Sequence, residues 1–141
     1  MELVVDASVA VKWFVIEKAS EAARRLLDDF AAEDVGLHAP ALLPFEVLNA
    51  LRFTSLLSEE RALQAAVALE RLGLQYHPLE GEFGRRAVHM AYAEDLTLYD
   101  AAYVALAKQM STRVVTADAG LARAGGTSAI PLEEYAGVSP F

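Results

Sequence analysis

Apolar residues recur along the chain in two rhythms, as short runs closed by acids or turn residues and as longer stretches with a three-to-four-residue spacing. The first run, Glu2-Leu3-Val4-Val5-Asp6, predicts a buried strand with an acid at its carboxyl end, and a short helix begins at Ala7 and Ser8. Ser20 is placed to cap a helix to about Ala32, with Ala23, Leu26, Leu27 and Phe30 on one side and Arg24, Arg25, Asp28 and Asp29 mostly outside. Gly36 to Ala39 reads as a brief strand ended by Pro40, and Pro40 and Pro44 bracket the entry to a helix packed through Phe45, Leu48, Leu51 and Leu56. Ser58 caps a further helix that runs to Leu72 and stops at Gly73, making a helical hairpin with the preceding one. Leu74 to Leu79, interrupted by Pro78, predicts a weaker strand near a sheet edge. Phe83, Ala87, Met90 and Ala91 give Glu82 to about Glu94 a helical apolar face. Thr97 to Asp118 then reads as helix, turn and strand. Ala102, Val104, Leu106 and Met110 are available for packing, and the strand from Arg113 to Thr116 delivers Asp118. Beyond Gly120 and Gly125-Gly126 lie an apolar segment at Ala129 to Leu132 and a last turn beginning at Glu133-Glu134-Tyr135.

Strands alternating with helices predict an α/β class, a single α/β/α domain over residues 1–141 with a mainly parallel central sheet flanked by helices. A chain of 141 residues that is 55% hydrophobic is the size of one domain with an ample core. No run is long and apolar enough to cross a membrane, and the amino terminus lacks a secretory signal, so a cytoplasmic protein is expected. The absence of cysteine removes disulfides, thiolate metal sites and a cysteine nucleophile, leaving oxygen and nitrogen chemistry. A net charge of −8 argues against broad adhesion to nucleic acid, but acids gathered around divalent cations are offset locally, so a nuclease stays open.

Asp6, Glu46, Asp100 and Asp118 each fall at an element boundary, and strand polarity brings at least Asp6 and Asp118 to the same sheet edge. Each has a local explanation when taken alone: Asp6 or Ser8 as a helix cap, Glu46 as a partner of the helix dipole, and Asp100 within the capping-box pattern Thr97-Leu98-Tyr99-Asp100. Four converging carboxylates repel one another, which raises their pKa values. A hard divalent ion, magnesium or manganese, supplies the missing charge and favours the ionised forms. Such an ion lowers the pKa of water and stabilises a phosphodiester in transition, so hydrolysis needs no histidine base. Ser8 and Thr116 are candidates to orient the carboxylates through their hydroxyls, and Asn49 shares a helix face with Glu46 and Ala50. His38 reads as an ordinary polar or partly buried residue rather than a metal ligand. His77 and His89 have no histidine or triad-like partner nearby in sequence, and neither is given a catalytic role.

DASVAVKW, PALLPFEVLNALR and LTLYDAAYVALAKQMSTRVVTADAGL followed by IPLEEY resemble the PIN-domain ribonucleases, especially the VapC toxins of toxin–antitoxin pairs, over nearly the whole chain. The resemblance implies an RNA endonuclease whose metal pocket is Asp6, Glu46, Asp100 and Asp118, with Ser8, Asn49 and Thr116 in support. It also implies a homodimer, and an antitoxin partner whose tail covers the site with a basic side chain directed at the acids. One departure stands out. Many relatives carry another acid or amide shortly after the last aspartate, whereas Ala119-Gly120-Leu121 follow Asp118 here, so one firmly held ion is expected rather than two.

Two other readings compete. A phosphatase of haloacid-dehalogenase type presents two acids separated by one residue after its first strand, and here Ser8 stands in place of the second. A metal-binding protein-interaction module without catalysis would use the same small scaffold. Lys12, Arg24, Arg25, Arg52, Arg85, Arg86, Lys108 and Arg113 are candidate phosphate contacts, none singled out for recognition. Trp13 is expected to pack in the core.

Overall fold

The computed structural model describes residues 1–54 and 58–137; Leu56, expected to pack in the third helix, lies outside them. Five strands form one parallel sheet in the order β3-β2-β1-β4-β5: β1 (Glu2–Val5), β2 (Gly36–Pro40), β3 (Gln75–His77), β4 (Val114–Thr116) and β5 (Ala129–Pro131). Leu3, Val4 and Val5 point to alternate faces of β1, yet all three are buried, so the sheet is covered on both sides. Burying each such side chain contributes about 2 kcal/mol. The chain leaves β1 toward β2 and β3 on one side and returns to β4 on the other. The gap beyond the carboxyl ends of β1 and β4 is therefore a topological switch point, where open α/β sheets form a crevice.

The helices are α1 (Ala7–Ala10), α2 (Ser20–Ala31), α3 (Leu43–Arg52), α4 (Glu59–Leu72), α5 (Gly81–Ala93), α6 (Leu98–Gln109) and α7 (Ala119–Gly125). Helix α6 lies against β1, β2 and β4, and α5 packs along it. Ala101 through Ala107 of α6 are all buried, so this helix is apolar on every side. That explains why Ala102, Val104 and Leu106, spaced by two, do not define a single face. Ser58 caps α4 by accepting from the Arg61 N–H, and Gly73 ends it at φ +72°. Trp13 is buried, and its indole N–H donates to the Ala23 carbonyl at 2.9 Å.

Several expectations need correction. Ser20 is the first residue of α2, not its cap: its hydroxyl accepts from the Glu17 N–H at 2.7 Å, and the cap position is Ala19 at φ +64°. Phe45 is 79% exposed, because α3 buries Leu43, Val47 and Leu51, a stripe of four-residue spacing that turns position 45 outward. His77 does have a histidine partner, reached across the sheet: its Nε2 lies 2.9 Å from Nδ1 of buried His38, whose Nε2 lies 3.0 Å from the Glu2 carboxylate. Helix α7, which the glycines at 120, 125 and 126 disguise in the sequence, is started by Asp118 and fixed by buried Leu121.

Candidate functional site

Asp6 holds the cap position of α1 with extended backbone, yet its side chain makes no capping bond. Its Oδ2 instead accepts the Ser8 hydroxyl at 2.6 Å and the Thr116 hydroxyl at 2.8 Å. Each hydroxyl in turn accepts a backbone N–H, Ser8 Oγ from Ala117 at 2.9 Å and Thr116 Oγ1 from Asp118 at 3.0 Å. With its acceptor role filled by an amide, each hydroxyl directs its one proton at Asp6. The loop leaving β4 thereby holds the acid that ends β1. Burial raises the pKa of Asp6; the two hydroxyl bonds oppose the rise, and Asp100 and Asp118 add to it.

Asp118 caps α7, its Oδ1 accepting from Gly120 N–H at 2.8 Å and Leu121 N–H at 3.2 Å. Glu46, in the first turn of α3, accepts the Tyr103 hydroxyl on Oε1 at 2.7 Å. Burial raises its pKa, the Tyr103 bond opposes this, and the charges of Asp6 and Asp100 raise it further. The Asp100 N–H donates to Thr97 Oγ1 at 3.1 Å, but the return half of a capping box is not made among the described residues, so the carboxylate itself is not used as a cap. Burial and then Asp118 push the pKa of Asp100 up. Asn49 lies exposed on the wall of the groove beside Glu46, with no hydrogen bond to the four acids among the described residues.

The electrostatic couplings link Asp6 to Asp100 and Asp118, Glu46 to Asp6 and Asp100, and Asp100 to Asp118, so the four acids share one crevice. Among the described residues, none of the groups acting on Asp6, Glu46 or Asp100 is a cation. Four basic side chains are engaged elsewhere: Lys12 pairs with Glu17, Arg85 and Arg86 pair with Glu82, and Arg25 donates to the Tyr135 carbonyl. Asp6, Glu46 and Asp118 each have one oxygen bound to a protein donor and the other without one among the described residues. This oxygen-only donor set suits a hard cation. Among the described residues no three acids or histidines are already drawn together around a point an ion would fill. Tyr103 is the site residue the sequence reading passed over. Its signal was its place three residues after Asp100, on the same side of α6.

A family model for the PIN domain matches residues 3–126. Ribonuclease VapC3 of Pyrobaculum aerophilum is 35% identical over 126 residues, which span 86% of this chain and 93% of that protein. Ribonuclease VapC12 of Mycobacterium tuberculosis is 34% identical over 131 residues, 90% of this chain and 95% of that protein. Among solved structures, PAE2754 from Pyrobaculum aerophilum superposes with a TM-score of 0.65 at 26% identity, covering 94% of this chain and 90% of that one. FitAcB from Neisseria gonorrhoeae superposes at 0.68 over 93% of this chain and 98% of that one, at 20% identity, a likeness of fold. With a parallel sheet, an acidic crevice at its switch point and a family match over most of its length, the chain belongs to the PIN-domain family.

Proposed function

We propose that this protein is a divalent-metal-dependent endoribonuclease, the toxin of a toxin–antitoxin pair, and that Asp6, Glu46, Asp100 and Asp118 form its metal pocket. The observation that carries the reading is the set of four carboxylates at the β1/β4 switch point, linked through Asp6 and Asp100, with no cation of the described residues among the groups acting on Asp6, Glu46 and Asp100. The relatives named ribonuclease VapC support the RNA substrate. The uncommitted oxygens of Asp6, Glu46 and Asp118, with the carboxylate of Asp100, would hold magnesium or manganese. When bound, the ion supplies charge to the phosphodiester and lowers the pKa of the attacking water.

The chain's own residues hold this arrangement ready. Ser8 and Thr116 keep Asp6 from rotating, and the α7 amides do the same for Asp118. Asn49 lines the groove beside Glu46, where Phe45 and Tyr99, 79% and 63% exposed, offer ring faces on which unpaired bases stack. The protein works in the cytoplasm as a homodimer, and its antitoxin inserts a basic group among the acids, supplying the charge the fold leaves out. No described helix is long and apolar enough to cross a membrane. In place of the second acid of a haloacid-dehalogenase phosphatase stands Ser8, whose hydroxyl is already spent on Asp6.

Asp100→Asn tests the proposal, since no bond to its carboxylate within the described fold would be lost. Purified protein incubated with total RNA and manganese should cleave at discrete positions, and the variant should lose at least about 100-fold in rate, the scale of removing one group that stabilises transition-state charge. Undiminished cleavage by the variant would refute the mechanism. Hydrolysis of small phosphate esters without RNA cleavage would favour a phosphatase, and metal binding with neither activity would leave an interaction module.

A further inference from the structure

Tyr103 is wholly buried on α6, and its hydroxyl donates to Glu46 Oε1, 2.7 Å away, with the Ala7 backbone also against the phenol. A phenol O–H set 2.7 Å from a carboxylate oxygen donates its proton to it. Glu46 sits on α3 and Tyr103 on α6, so this bond ties two helices at the point where one acid must face the other three. It also changes what the carboxylate can offer. With Oε1 already holding the phenol, Oε2 is the Glu46 oxygen with both lone pairs open among the described residues.

We infer that Tyr103 is a positioning residue that restricts Glu46 to one-oxygen coordination and thereby selects small octahedral ions over calcium. The inference rests on the metal-pocket reading above and deepens it. Calcium takes six to eight oxygens at 2.3–2.6 Å and readily accepts a carboxylate through both oxygens, whereas magnesium-sized ions take six in near-octahedral geometry at about 2.0–2.1 Å. The same restriction acts on Asp6, whose Oδ2 is filled by Ser8 and Thr116, and on Asp118, whose Oδ1 is filled by two amides. Of the three, the Glu46 restraint is a single hydroxyl, and one substitution removes it while leaving the ring in the core.

The test is direct ion binding to the RNA-free protein. Manganese and calcium dissociation constants are measured by calorimetry for wild type, Tyr103→Phe, Glu46→Gln and the double variant, with melting curves to show that each is folded. Tyr103→Phe should weaken manganese binding about 10-fold, the lower end of what outer-shell partners contribute. Calcium binding should weaken much less or tighten, so the manganese-to-calcium preference falls several-fold. In the Glu46→Gln background, Tyr103→Phe should have no further effect on either ion. A parallel loss of both ions would show that Tyr103 only stiffens the fold and would overturn the inference, as would an undiminished preference or additive losses in the double variant. If Glu46→Gln weakens manganese binding and Tyr103→Phe does not, the inference alone fails. Unaltered binding in Glu46→Gln means that Glu46 is no ligand, and the proposed pocket fails with the inference.

Discussion

Two carboxylates bracket β1, and the fold treats them in opposite ways. Glu2 opens the strand, and the bond from His38 lowers its pKa. His38 is itself backed by His77, so a line of hydrogen bonds crosses β3, β2 and β1. Gly36 makes room for it, since a Cβ there would lie 1.9 Å from a Glu2 carboxylate oxygen. Asp6 closes the strand with two hydroxyls and two more acids around it, and its pKa is raised. Glu2 lies half in water and takes a hydrogen bond from within the protein. The charge of Asp6 is oriented by two hydroxyls with no cation beside it among the described residues, the arrangement expected of a carboxylate kept for a ligand of opposite charge.

The comparison breaks most visibly if Asp6 proves dispensable. Asp6→Asn should keep the fold, because the amide oxygen still accepts from Ser8 and Thr116, while divalent-dependent RNA cleavage falls by about 1000-fold or more. Initial rates on one RNA across a manganese titration measure this, and a variant with wild-type rates would place Asp6 with Glu2 as a structural acid. A smaller effect is expected from the other end of the strand. His38→Ala empties a buried site and strands His77 and Glu2, both of which can return to water, so it should destabilise by about 2 kcal/mol in urea titration. Manganese affinity should not change. A parallel loss of metal binding would join the two regions into one network.

The acids that define the crevice were legible because each stands at an element boundary, where strand polarity and helix starts are readable from pattern alone. Thr116 was legible for a related reason: a hydroxyl at the end of an otherwise apolar strand is an exception to its surroundings. Tyr103 was not, because a tyrosine within a helix of alanine, valine and leucine looks like packing, and its hydroxyl acquires meaning only when α3 brings Glu46 to it. The His38–His77 pair escaped for a stronger reason. Its members are 39 residues apart and meet only through the register that sets Pro40 of β2 beside His77 of β3. Phe45 was misplaced by choosing the wrong stripe of α3, an error of less than one turn that exchanges core for solvent.

The smallest effect is also the one that bears most directly on the unanswered charge. In metal-free buffer the raised pKa of Asp6 means that its contribution to stability is fully present below the unfolded value, near 3.8, and is lost as pH rises through the folded value. Glu46 and Asp100 act in the same direction, while Glu2, with its lowered pKa, acts oppositely and loses its contribution as pH falls. His77 also disfavours acid: burial and then His38 hold its pKa below 6.5, so its neutral form stabilises at higher pH and that contribution is lost on acidification. Comparing wild type with Asp6→Asn cancels the shared terms and isolates Asp6. At pH 4 the two should have nearly equal urea midpoints. As pH rises toward 7 the variant should become the more stable by on the order of 1 kcal/mol, the lower end of the cost of a buried charge that has hydrogen bonds but no cation beside it. Saturating magnesium, which stabilises only the form that binds it, should close or reverse the gap. A gap independent of pH would mean that the Asp6 charge is already compensated within the fold, and the contrast with Glu2 would be lost.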